Sequence, residues 1–325
     1  MVLIFVCILV VLAGLASIQT TKKDVLQSFQ LLPSKWNPQK REFEVYALIY
    51  TAIWIFSFGI VVVAQIYESF TENSYMILCV CLSLPFLLQP VVYPLKAERT
   101  LPLFQRYSFK ANVWLAIFSF IGNYWYTHYF YSVLKARYTF PSHRLNDVPI
   151  ALFFATHFYF VTYHTFSNIL LRAIETRYER SFRRTLLFWS TVFAFSYFTS
   201  FMETLTISSF PYYSFEDRNM MYTVGSAFYG IYFIVSFPVF YTMDEKDAIV
   251  SDLPNYSDLV KKQGDKDALV KEFSKVRVYG IREAIMESFG TSMMVLCLLD
   301  FGRLACGIPL TIPGVPYYIY RFKQT

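Results

Sequence analysis

The chain has 325 residues, of which 55% are hydrophobic, 20% aromatic and only 16% charged, with a formal net charge of +6. A soluble chain of this length carries more surface charge, so the composition excludes an ordinary globular protein and predicts one that leaves apolar surface in lipid. The positive residues cluster between apolar runs, which suits membrane flanks and excludes a nucleic-acid-binding face.

Crossing roughly 30 Å of hydrocarbon takes about 20 mostly apolar residues. Segments that meet this test run over 1–18, 44–66, 75–95, 111–133, 148–171, 185–207, 222–242 and 288–307. The expected fold is an all-α polytopic transmembrane helical bundle of about seven to eight spans. Several spans are polar enough to require a packed bundle with a polar interior. Residues 1–18 lack the positive n-region of a signal peptide, so they read as an uncleaved, N-out anchor. With their linker they form an N-terminal segment over 1–32, and residues 33–325 form the membrane-embedded domain. No internal repeat is evident, which disfavours an inverted-repeat transporter.

The connections between spans differ sharply in basic residues. Those before the second span, at 96–110, at 172–184 and at 243–287 hold 22 Lys and Arg together; the alternate set holds 6. The positive-inside rule makes the first set cytosolic. The sequon Asn255-Tyr256-Ser257 falls in the cytosolic 243–287 loop and is therefore expected to be unmodified. Arg277 to Ser288 form either an amphipathic surface helix or the end of a solvated linker.

Cys7, Cys79, Cys81, Cys297 and Cys306 sit in or beside apolar runs and read as packing residues. There is no zinc-ligand spacing, phosphate loop or nucleotide fingerprint, so neither a metal nor a cofactor is expected.

Ionisable residues inside spans cost about 2.5–3.5 kcal/mol each at mid-span and so need a reason. Glu203 is the clearest. At 100° per residue Ser196, Thr199, Ser200, Glu203 and Thr206 share one side of a helix, placing an acid on a hydroxyl-lined stripe. Such an acid can hold a proton away from water and donate it, or simply bond to a neighbouring helix. His157, His164 and Asn168 follow at i, i+7 and i+11, a narrow stripe on the preceding span. His128 lies one turn after Tyr124, and Asn123 one turn before Thr127. Histidines aligned in this way suit proton transfer near neutral pH, and singly they serve as polar glue. Asp300 and Arg303 read as an i, i+3 ion pair. Aromatic runs at 124–131, 153–166 and 228–241 are mostly helix packing, yet they would also wall a flat apolar ligand and shield a transient cation. Together these features suggest proton-transfer chemistry on a lipid-soluble substrate.

Several stretches carry a resemblance: GNYWYTHYFYSVLKARYTFPS (122–142), NDVP (146–149), FFATHFYFVTYHTFSN (153–168), SYFTSFMETLTISSFPYYSFEDRNMMYTVG (196–225), FYGIYFIVSFPVFYTMDEK (228–246) and LLDFGRL (298–304). They resemble the cycloeucalenol cycloisomerases, the cyclopropyl sterol isomerases of organisms that build sterols through cycloartenol. The resemblance covers roughly 34–306; the apolar leader and the longer 247–275 segment depart from it. It implies a cofactor-independent isomerase of sterol biosynthesis in the endoplasmic reticulum membrane. Its substrate would be a 4α-methyl cyclopropyl sterol drawn from membrane lipid. An acid protonates C19, positive charge develops at C9, and a base removes the C8 proton, giving the Δ8 sterol obtusifoliol. On this reading Glu203 is the proton donor and His157 or His164 the base or relay, with His128 and Tyr124 supporting. Trp125 would shield the cation, Asn168 would hold the sterol hydroxyl, and Asn123 and Thr199 complete the substrate-binding set. The alternatives are a Δ8–Δ7 sterol isomerase, whose emopamil-binding members share the Met202-Glu203-Thr204 triplet, and a non-catalytic sterol binder or transporter. Nothing in the sequence names a protein partner.

Overall fold

The structure is a computed structural model that describes residues 2–22, 29–34, 37–208, 210–243 and 279–310, with the side chains of 207 and 208 excepted. The Asn255 sequon, most of the 243–287 loop and residues 277–278 lie outside the described residues. The helices are α1 (Val2–Ser17), α2 (Pro38–Val63), α3 (Glu72–Val92), α4 (Tyr107–Ile121), α5 (Thr127–Leu134), α6 (Ile150–Arg177), α7 (Phe182–Ser208), α8 (Ser226–Thr242) and α9 (Ile281–Ala305). Residues 281–288 are the opening turns of α9, not a separate surface helix. Among the described residues five segments are long and apolar enough to cross a membrane: α2, α3, Phe182–Thr206 of α7, Arg218–Thr242 leading through α8, and α9. Length and composition thus support five of the seven to eight spans expected. The 16 residues of α1 are short, and α6, though 28 residues long, carries too many polar groups.

Two irregular turns interrupt the helical rods. Gly122–Tyr126 form a π-helical turn between α4 and α5, and Met221–Gly225 form another leading into α8. Such turns insert one extra residue and recur at functional sites. At the close approach between α5 and the second turn, a Cβ on Gly225 would lie 2.8 Å from the Leu134 δ-methyl, so a larger residue there would have to push that side chain aside. Two short antiparallel pairs close one end of the bundle. β1 (Ala136–Tyr138) pairs with β4 (Tyr213–Phe215), and β2 (Arg144–Leu145) with β3 (Val148–Pro149). Asn146 and Asp147 join β2 to β3 with φ of 53° and 59°; both residue types tolerate the left-handed conformation that a tight two-residue hairpin demands.

The loops gather at two ends in the same sets that their charge separates. At one end Thr21 bridges Tyr178, and the Ala97 N–H donates to Glu42 at 2.9 Å. At the other, β1 meets β4, Tyr67 packs on Phe210 and Tyr212, and His143 meets Asn73. Outward faces keep large apolar side chains exposed, among them Ile53, Phe56, Met293 and Phe301, as lipid-facing helices should.

Inside, polar groups are paired across helices. Glu44 of α2 takes two hydrogen bonds from Arg172 of α6, at 2.8 and 2.9 Å, and one from Asn168 at 3.0 Å. The two charged side chains are 1% and 0% exposed, so neither has water as an alternative partner. Trp54 and Thr51 of α2 meet Thr162 of α6 at 3.0 and 2.9 Å. Pro85 breaks the ladder within α3, and there the hydroxyls of Tyr46 and Tyr50 donate to the carbonyls of Pro85 and Leu82. Between α3 and α4, buried Glu98 accepts from the Ser108 N–H at 2.8 Å and from the Ser108 hydroxyl. Burial raises the Glu98 carboxyl above its ordinary range, and the Ser108 bonds offset this only in part.

Replacing Arg172 with Met strands a buried carboxylate and should cost about 3–5 kcal/mol, while the double change Glu44→Leu/Arg172→Met should recover most of it; thermal unfolding in detergent measures both. Because folding raises the Glu98 value, the folded state holds its proton more tightly. Stability is then fullest below the ordinary carboxylate range and falls as pH rises through the raised value. Glu98→Gln should flatten that decline in melting temperature.

Candidate active site

The residues around Glu203 come from six elements: the first π-helical turn, α5, β1, α6, α7 and α8. Glu203 stands near the end of α7, where the chain approaches the β1–β4 pair. Its Oε2 accepts from Tyr229 of α8 at 2.9 Å and from Tyr163 of α6 at 3.2 Å. Among the described residues Oε1 has no hydrogen-bond donor. The side chain opens on a cavity of about 50 Å³ lined also by Gly122, Asn123, Thr127, Phe130, Tyr138, Thr156, Phe160, Thr204, Tyr229 and Tyr232. That volume holds at most a few waters. One wall is the first π-helical turn, which supplies Gly122 and Asn123. The Asn123 amide donates to the Thr156 hydroxyl at 2.7 Å and to the Ser119 carbonyl at 2.8 Å, fixing Asn123 at the wall. The rest is aromatic: Tyr229 and Tyr232 meet edge to face at 4.6 Å, and Phe160 packs on Phe233 at 5.6 Å.

The hydroxyl stripe on α7 is largely inward. Ser196, Thr199 and Ser200 are buried, whereas Thr206 is exposed and Thr204 takes the place beside the acid. Ser200 and Thr204 turn their hydroxyls back to carbonyls four residues earlier, at 2.9 Å each. Thr199 does not line the cavity.

Of the remaining expected site residues, Asn123 alone lines it. The His157 Nε2 pairs with the Asn112 side chain at 2.8 Å. The His164 Nε2 pairs with Ser236 at 2.9 Å and its Nδ1 with the Phe160 carbonyl at 2.7 Å. His164 is ringed by aromatics, with Phe240 at 5.0 Å and Phe237 at 5.1 Å. Asn168 belongs to the Glu44–Arg172 pair. The predicted stripe of His157, His164 and Asn168 therefore exists as a line on α6, but each member faces its own partner and none shares the cavity with Glu203. His128 is fully buried beside Tyr131, close to Asn146 and Asp147 of the β2–β3 hairpin, and does not line the cavity. Tyr124 stacks on Phe120 and meets Trp125 edge to face, and Trp125 is 39% exposed, outside the cavity. Asp217 caps the turn that follows it through Asn219 and Met220, and Asp300 pairs with Arg303.

Sequence reasoning missed Tyr163 and Tyr229, the two phenols on the acid, together with Tyr138, Thr156 and Tyr232. No local signal separates these tyrosines from the others among 26; their meeting depends on how α6 and α8 pack against α7. No group of three or more His, Cys, Asp or Glu suited to a metal exists among the described residues.

Fold and cavity together define a polytopic helical membrane protein with a carboxyl group facing a small, aromatic, intramembrane chamber. The chain is 40% identical to the cycloeucalenol cycloisomerase of Arabidopsis thaliana over 302 residues, spanning 88% of this chain and 97% of that protein. It belongs to the cycloeucalenol cycloisomerase family. No family profile matches the chain, and no solved structure matches it.

Proposed function

We propose that this protein is a membrane isomerase that opens the 9β,19-cyclopropane ring of a 4α-methyl sterol, converting cycloeucalenol to obtusifoliol. The identity with the Arabidopsis cycloisomerase along nearly its full length carries this reading. The cavity supplies chemistry of the right kind. Glu203 gives a proton to C19, the C9–C19 bond breaks with positive charge at C9, and loss of the C8 proton leaves the Δ8 double bond. Two phenols donating to Oε2 stabilise the carboxylate once its proton has gone. The faces of Phe130, Phe160, Tyr138, Tyr229 and Tyr232 line the same space and would shield the cation. Asn123, Thr127 and Thr156 are neutral polar groups on the wall across from Thr204 and Glu203 of α7 and suit the sterol hydroxyl. Ligand pockets usually measure roughly 300–1,000 Å³, so a sterol enters by parting the helices that wall a 50 Å³ chamber.

The same proposal extends to the membrane. The α4–α5 segment and α6 each run from one set of loops to the other, so they cross beside the five apolar spans and screen their polar faces inside the bundle. With α1 this gives eight crossings, N-out, with the basic loops cytosolic. The endoplasmic reticulum, where sterol precursors are processed, is the compartment this reading implies.

Microsomes containing the protein, incubated with cycloeucalenol in deuterated water, should yield obtusifoliol bearing deuterium in its C19 methyl; a folded preparation without turnover rejects the assignment. Glu203→Gln should lower kcat by about 10²–10⁴-fold, the usual contribution of a general acid, with the melting temperature retained. Near-normal activity in that variant removes Glu203 from the chemistry.

A further inference from the structure

The reaction adds one proton and removes another, and two-residue schemes assign these steps to an acid and a separate base. The structure offers one candidate for both. Glu203 is the one carboxyl, imidazole or ammonium group among the residues lining the cavity. The electrostatic neighbours of Glu203 are six phenols: Tyr159 and Tyr163 of α6, Tyr229 and Tyr232 of α8, Tyr138 of β1 and Tyr213 of β4. Among the described residues its carboxyl is hydrogen-bonded by Tyr163 and Tyr229 and makes no ion pair. Phenols are neutral until about pH 10, so none of them is a ready base. The histidines expected for that role are tied to Asn112, Ser236 and the Phe160 carbonyl, or stand beside Tyr131 away from the lining.

We propose that Glu203 is both the acid and the base of the isomerisation, with Tyr163 and Tyr229 as positioning residues that hold Oε2 and leave Oε1 to face the sterol. The assignment rests on the sterol-isomerase reading above. C19 and C8 are both bonded to C9, so one carboxyl group placed over the face bearing the cyclopropane reaches both. Oε1–H transfers its proton to C19 as the C9–C19 bonding pair becomes the new C–H bond. The Oε1 carboxylate then takes the C8 proton, and the C8–H pair becomes the C8–C9 π bond. Glu203 ends protonated, as it began, and no co-reactant is consumed. The C8 proton therefore leaves from the face that carried the ring.

The pH dependence of kcat/KM on cycloeucalenol decides between one group and two. A single carboxyl that must start protonated gives a profile with one limb, falling as pH rises. A separate base that must start unprotonated adds a rising limb and a bell. A one-limbed profile from pH 5 to 9 in the membrane-embedded enzyme is expected; a bell within that window overturns the proposal while leaving the isomerase reading intact, since the assay presupposes turnover. Tyr229→Phe and Tyr163→Phe should each lower kcat at least tenfold with KM changed less than twofold, their melting temperatures near that of the unaltered protein. A fall in KM-linked binding alone, with kcat kept, would contradict the positioning role.

Discussion

A bundle faced by lipid offers its interior polar groups no water, so each must find a partner in the protein itself. That constraint organises this molecule. Glu44 and Arg172 neutralise one another between α2 and α6, with Asn168 completing the set. Serine and threonine hydroxyls fold back onto carbonyls of their own helices, and tyrosine hydroxyls serve the carbonyls near the Pro85 break. The matching is incomplete: the Trp114 indole N–H and the His157 Nδ1, for example, are buried without a hydrogen-bond partner among the described residues. Glu203 differs from these in that its carboxyl lines a cavity, with two phenols on one oxygen.

The same constraint explains what the sequence could reveal. Hydropathy and basic loops made a multispan bundle legible, and the two charge classes of loop sit at opposite ends of the structure. Glu203 was legible because an acid in an apolar run has few structural excuses. The helices that hydropathy alone read as spans at 111–133 and 148–171 are polar for a reason visible only in three dimensions. Their Asn112, His157, His164, Asn168 and Arg172 face other helices, not lipid. Periodicity aligned His157, His164 and Asn168 correctly on one line of α6, yet a line on a helix 28 residues long passes several different neighbours. Asn112, Ser236 and Glu44 each claim one member. The phenols on Glu203 come from α6 and α8, and nothing local in either sequence announces that meeting.

Helix irregularity is concentrated where the cavity lies. The π turn at Gly122–Tyr126 gives the wall Gly122 and Asn123, and the turn at Met221–Gly225 lets α8 begin close beside Leu134 of α5. In regular helices the residues on one side of each turn would be rotated by about 100°, a little over a quarter of a turn, relative to those on the other. The rods supply the scaffold, and the two departures from regularity aim the side chains at the carboxyl.

Two lysines near the opposite end have a different consequence. Lys40 donates to the carbonyls of Tyr241 and Met243 at 3.0 and 2.8 Å, and Lys110 to that of Tyr279 at 2.8 Å. Lys40 also lies over the Tyr107 ring, on the same helix and one turn from Lys110. The points where the chain leaves α8 and re-enters before α9 are thus both fastened around the start of α4. Whatever lies between these two fasteners must therefore begin and end at that one face of the bundle, far along the rods from the chamber that Glu203 lines.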